Sequence, residues 1–164
     1  MLITSAARLH CAATLHAFDF YEDSSMIRTG SCLCGNVVYG ADGDPVIVAH
    51  CHCRDCQRVS GAGHTTGATF DAAHITVTGK LAEYTHRSEA GNTVSHLFCA
   101  RCSSKLFGKN TGMPGFMTIA AGTFDEPDSL TPQVTVFARS RCHWDFMDPA
   151  VATYDAQPEW KPAS

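Results

Sequence analysis

Seven of the nine cysteines in this 164-residue chain fall into three tight groups, and their spacing constrains the fold more than any other feature of the sequence. Cys32-Leu33-Cys34 and Cys99-Ala100-Arg101-Cys102 are pairs, while Cys51-His52-Cys53-Arg54-Asp55-Cys56 carries a trio. A disulfide framework accounts for them poorly. The cysteine count is odd, and thiols this close in sequence suit thiolates gathered on a metal ion. Residues 1 to 22 also lack a basic start, an unbroken apolar stretch and a small-residue cleavage site, which makes a poor secretory signal. The expected compartment is therefore the reducing cytoplasm, where structural disulfides are rare.

The two pairs complement each other. Neither fills a tetrahedron alone, but Cys32, Cys34, Cys99 and Cys102 together supply four thiolates, the usual set for structural zinc. With Zn–S near 2.3 Å, such sulfurs sit about 3.8 Å apart. Residues i and i+2 of an extended segment point to one side, so Cys32 and Cys34 can converge on one ion, with Gly35 supplying a bend. A shared ion would clamp residues 35 to 98 into a closed loop and add its own binding free energy to folding. The competing reading is four free buried cysteines, since Cys is among the most buried residue types.

The trio is short of one ligand. An open fourth position separates catalytic zinc sites from structural ones. An ion on three thiolates carries net negative charge and is a weak Lewis acid, so it suits the holding of a substrate thiol better than the activation of water. Coordination lowers a thiol's pKa, and the resulting thiolate remains nucleophilic. The matching reaction class is addition of a thiol to a small electrophile, or the reverse cleavage of a carbon–sulfur bond. Two other readings stay open: His50, His52 or His64 completes a purely structural site, or the three cysteines are redox-active without metal.

Composition narrows the remaining choices. Apolar residues make up 45% and charged residues 17%, as in a folded domain of ordinary size. A formal charge of -4 argues against a nucleic-acid partner, which would need clustered Lys and Arg. No apolar run approaches the roughly 20 residues of a membrane span. Residues 1–25 read as an N-terminal arm or extension ahead of one zinc-binding domain over 26–164, with Met26 as a candidate natural start; a docked N-terminal segment is the other reading.

Short segments rich in β-branched and aromatic residues predict strands at Val37 to Tyr39, Val46 to His50, Thr65 to Phe70, Ile75 to Thr78, Thr93 to Phe98, Met117 to Ala120 and Val134 to Ala138. Gly-containing or acidic turns separate them. Only Arg54 to Ser60 reads as a short helix or turn, so the expected fold is mainly β with no internal repeat.

Gly30-Ser31-Cys32-Leu33-Cys34-Gly35-Asn36-Val37, Cys51-His52-Cys53-Arg54-Asp55-Cys56-Gln57 with Ser60-Gly61, and Phe98-Cys99-Ala100-Arg101-Cys102 resemble the family of glutathione-dependent formaldehyde-activating enzymes, which also contains centromere protein V-like proteins. The resemblance runs from about Gly30 to Asp125, with a looser tail to Pro158. It implies a β-tent fold of the Mss-four-like superfamily, built from short antiparallel strands. It also implies two zinc ions per chain: a structural one on Cys32, Cys34, Cys99 and Cys102, and a catalytic one on Cys51, Cys53 and Cys56. The implied activity is that of S-(hydroxymethyl)glutathione synthase, a carbon–sulfur lyase acting on glutathione and formaldehyde, as a monomer or homodimer. The chain departs from the family where a proline is followed three residues on by histidine, since Pro132 is followed by Gln133, Val134 and Thr135. If relatives use that histidine on substrate, the preference differs here.

Arg54, Arg58 and Lys105, with Arg101 and Lys109, are candidates for binding the carboxylates of a glutathione-like tripeptide, against the plainer reading of solvated surface charge. His52, between two ligands, points away from the metal on an extended segment or donates a proton to a developing alkoxide. His96 reads as a half-buried strand residue. Phe98, Phe107, Phe116 and Phe124 read as core, and Cys11 as chemically idle. Two other functions compete with the lyase: a non-catalytic zinc-binding module for protein interaction, and a methionine sulfoxide reductase-like enzyme using Cys142.

Overall fold

A computed structural model describes residues 26–159 of the chain. The expected arm over 1–25, including Cys11, lies outside the described residues. Eleven strands and one short helix follow in the order β1 (Ile27–Ser31), β2 (Val38–Asp42), β3 (Ile47–Cys51), α1 (Arg54–Ser60), β4 (Thr65–Asp71), β5 (Ile75–Thr78), β6 (Leu81–Arg87), β7 (Thr93–Cys99), β8 (Lys105–Asn110), β9 (Phe116–Ala120), β10 (Val134–Val136) and β11 (Ala152–Thr153). The mainly β architecture of short antiparallel strands matches the sequence reading. The helix falls where it was expected, while β1, β6, β8 and β11 were not anticipated.

The strands form two sheets. A three-stranded antiparallel sheet has the order β1-β2-β5, and an eight-stranded sheet has the order β11-β10-β3-β4-β9-β8-β7-β6. From β3 through to β6 every pairing is antiparallel, whereas β10 runs parallel to β3 and β11 parallel to β10. No described helix is long and apolar enough to cross a membrane.

Period-two alternation divides the large sheet into a core face and an open face. Val48 of β3, Ala68 and Phe70 of β4, Phe107 of β8 and Ile119 of β9 are buried in the core beside Val37, Tyr39 and Ala41 from the small sheet and its leading turn. Tyr39 is the hinge of that packing. Its ring meets Phe107 and Phe124 edge-on at centroid distances of 5.3 and 5.4 Å, and its hydroxyl lies 2.9 Å from Thr123 Oγ1. The alternate residues on the same strands, Ala49, Cys51, Gly67, Thr69 and Thr118, face a cavity of about 380 Å³ on the other side. Phe107 and Phe124 are core as expected; Phe98 is half-buried, and Phe116 lines the cavity instead.

Candidate functional site

The four cysteines of the two pairs meet between the sheets. Their sulfurs lie within 4.8 Å of one another, and the individual separations Cys32–Cys34 and Cys34–Cys99 are 3.5 and 3.8 Å. Those values match the edge of a tetrahedron around zinc. Each pair sits on a tight turn that aims backbone N–H groups at sulfur. Gly35 (φ 73°) donates to Cys32 O at 2.9 Å, and Ser103 (φ 60°) donates to Cys99 O at 3.0 Å. Val37 N–H then points at Cys32 Sγ and Arg101 N–H at Cys99 Sγ, 3.3 and 3.4 Å away. At Cys32 this backbone donor favours thiolate over thiol. Ser104 joins the two turns, accepting from Leu33 N–H at 3.1 Å while its own hydroxyl lies 3.3 Å from Cys102 Sγ. The Ser104 hydroxyl and backbone pull the Cys102 thiol down to about 5. Burial and the three neighbouring sulfurs push Cys34 up to about 11, a crowding that a cation relieves, so the donor set and its spacing fit a metal site closed by its own four thiols.

The trio forms a second cluster where β3 passes into α1, its sulfurs again within 4.8 Å of one another. Cys51 ends β3. Cys53 is the N-cap of α1, accepting from Cys56 N–H at 3.4 Å, and Cys56 lies in the first helical turn. The helix stops at Gly61, whose left-handed backbone (φ 68°) donates back to Gln57 O. The close approach of the Cys51 and Cys56 sulfurs holds the Cys53 thiol far below the usual range, while the crowding pushes Cys51 well above it. A cation would relieve that crowding by letting all three ionise. Cys51 and Cys56 line the cavity, so the cluster opens on one side to a space that a small ligand can occupy.

The basic candidates separate. Lys105, at the start of β8, lines the cavity, as does Lys109. Burial lowers the Lys105 ammonium pKa, opposed by the negative charge of Cys56, Cys51 and Cys53. Arg54 is exposed and binds Gln57 Oε1, Arg58 is exposed and 3.9 Å from Asp55, and Arg101 donates to Asn36 Oδ1 at 3.0 Å; none of the three lines the cavity. Cys142 is also outside the cavity lining, with its sulfur 3.9 Å from Gln57 Oε1.

The histidines offered as a fourth ligand lie elsewhere. His50 alternates with Ala49 and Cys51, so it takes the other face of β3, where its Nδ1 lies 2.8 Å from Thr66 Oγ1. His52 is fully buried and gathers with His64 and Asp145, away from the cavity lining, which removes it from the position of a proton donor there. His96 does line the cavity. Its Nε2 lies 3.2 Å from His86 Nε2, and burial, with nearby Lys105, holds it below the usual imidazole range.

Gln57 is a site residue that spacing alone did not single out. Its Nε2 donates to His52 O and to Ser140 O, both at 2.8 Å, stitching the cysteine loop to a segment 83 residues away. Sequence offers no signal for this, because an amide in a first helical turn is ordinary.

Fold and clusters together define a mainly β protein with a closed four-thiol site and an open three-thiol site at the end of a cavity. No curated protein matches the chain. The model of the family "Glutathione-dependent formaldehyde-activating enzyme" matches residues 27–140, and the chain belongs to that family. Among solved structures, it is similar to a Rhodobacter sphaeroides protein determined as a structural-genomics target, with 16% identity and a TM-score of 0.51, over 77% of this chain and 98% of that one. At that identity the likeness is one of fold.

Proposed function

We propose that this chain is a zinc-dependent carbon–sulfur lyase that joins a small thiol of the glutathione type to formaldehyde or a related aldehyde, and reverses that reaction. The observation that carries the reading is the three-thiol cluster, crowded, unsaturated and open to a cavity of about 380 Å³. That volume lies at the small end of the roughly 300–1,000 Å³ usual for ligand sites. A zinc ion held by Cys51, Cys53 and Cys56 would supply a stabilised, nucleophilic substrate thiolate at neutral pH.

The remaining work belongs to the chain's own groups. In the forward direction a carbon–sulfur bond forms, the carbonyl π bond breaks, and the oxygen takes a proton. Lys105 is the cavity-lining cation beside the cluster, and its lowered pKa makes it a better proton donor than an exposed lysine. Lys109, further along the same strand, is suited to a substrate carboxylate. The apolar walls from Ile47, Ala49, Val134 and Val136 limit water, which competes for the aldehyde.

The test is an exchange assay between glutathione and its formaldehyde adduct. The enzyme accelerates exchange over the uncatalysed rate, and Cys53→Ser abolishes the acceleration while far-UV circular dichroism stays native. No acceleration with the fully metal-loaded chain would instead make it a non-catalytic binding module.

A further inference from the structure

A third group of ligand-type side chains sits behind the three-thiol cluster and is used by neither cysteine site. His52, His64 and Asp145 bring one donor atom each to within 4.8 Å of the others. They come from three places: the cysteine loop, the turn before β4, and the segment after β10. Asp145 Oδ2 stands between the imidazoles, 2.9 Å from His64 Nδ1 and 3.2 Å from His52 Nδ1. Ligands on one tetrahedral ion at about 2.0–2.2 Å are separated by about 3.4 Å, so small side-chain shifts bring all three onto a common centre.

Two further features point to a ligand. The His52 side chain has 0% exposure, and neither ring nitrogen makes an aligned hydrogen bond, although the Asp145 carboxylate and the Gly63 backbone lie close to the ring. Buried imidazole nitrogens normally find partners. In addition, the carboxylate is seated in a cradle that only glycine leaves open, because a Cβ at Gly63 would come within 2.2 Å of Asp145 Oδ2. The aspartate is held from its own side too, since Asp145 N–H donates to Cys142 O at 3.0 Å.

We propose that His52, His64 and Asp145 form a third divalent-metal site, separate from both cysteine clusters, that clips the segment around Asp145 to the loop bearing Cys51, Cys53 and Cys56. Two imidazole nitrogens and one carboxylate oxygen select a borderline transition ion of the zinc, cobalt or ferrous class. Magnesium and calcium prefer all-oxygen sets. Because His52 lies between Cys51 and Cys53, an ion here braces the backbone that sets the geometry of the trio. Three ligands leave room for water, and the 25% exposure of the His64 side chain gives a path for exchange.

Cobalt(II) titration of the reduced, metal-free chain under anaerobic conditions tests the site. Thiolate sites add sulfur-to-cobalt charge-transfer absorption, whereas a nitrogen and oxygen site adds only d–d bands. The expected result is one equivalent that binds without charge transfer, whatever number of cysteine sites load before it. Asp145→Ala and His64→Gln each lose that equivalent and still develop the charge-transfer bands, which shows that the cysteine sites still load and that the fold around them survives. A wild-type chain whose every bound equivalent brings charge transfer overturns the proposal, as does a silent equivalent that persists in both variants.

Discussion

Gln57→Leu isolates the bond network that locks the cysteine loop to the far segment. Leucine nearly preserves the volume of the buried side chain, so little cavity term enters, but it removes both N–H donors together with the Oε1 that accepts from the exposed Arg54, whose guanidinium turns to water. Two carbonyls lose their partners: His52 O is buried, and Ser140 O is partly so. Leaving a buried acceptor unpaired costs about 1–3 kcal/mol, and a partly hydrated one about 0.5–1.5 kcal/mol. The expected loss is therefore about 1.5–4.5 kcal/mol. Urea unfolding at a fixed free zinc concentration measures it, since bound metal otherwise shifts apparent stability by mass action. The loosened loop also weakens metal at the trio, while the four-thiol site, which shares no bond with Gln57, keeps its affinity. A change under about 0.5 kcal/mol would show that water or another donor replaces the amide, and the locking role would be wrong.

Metal removal should proceed in two stages. A chelator strips the three-thiol site first, through its open side, and the four-thiol site, whose ligand set is complete, later, as zinc release followed with a chromogenic indicator would show; simultaneous release contradicts the open geometry. Phe107→Ala, at a side chain with 0% exposure packed edge-on against Tyr39, should cost about 3–5 kcal/mol of unfolding free energy. His96 carries a pH effect. Its pKa is lowered from the usual 6.5 by burial, so the unfolded chain binds the extra proton more readily and stability falls as pH drops through and below that value. His96→Gln should flatten this slope between about pH 7 and 5, with the difference from wild type read from urea midpoints at each pH.

Residues close in sequence were legible because spacing alone specifies their geometry. The i, i+2 cysteines, the two-residue turns and the trio at i, i+2 and i+5 converge as their patterns imply, and α1 and β5 fall where composition put them. Strands with weak local signals were not. β6 (Leu-Ala-Glu-Tyr-Thr-His-Arg) is an edge strand whose mostly exposed side chains carry little hydrophobic pattern, and β8 interrupts its run with Gly108 and two lysines. Their existence rests on cross-strand bonds to neighbours.

The chain order by itself determined the geometry within each cysteine group, because ligand convergence across a turn is a matter of a few dihedral angles, and the ligand count of each group indicated that the two pairs share a site, although the 65-residue separation of Cys34 and Cys99 is closed by the sheets. Only tertiary structure decided what surrounds those clusters. Alternation along β3 sends Cys51 to the cavity and His50 to the opposite face, β10 returns to lie parallel beside β3, and Asp145 arrives 81 residues after His64 to sit between two imidazoles. Such encounters depend on the summed packing and hydrogen bonding of a whole sheet, and no short stretch of sequence encodes that sum.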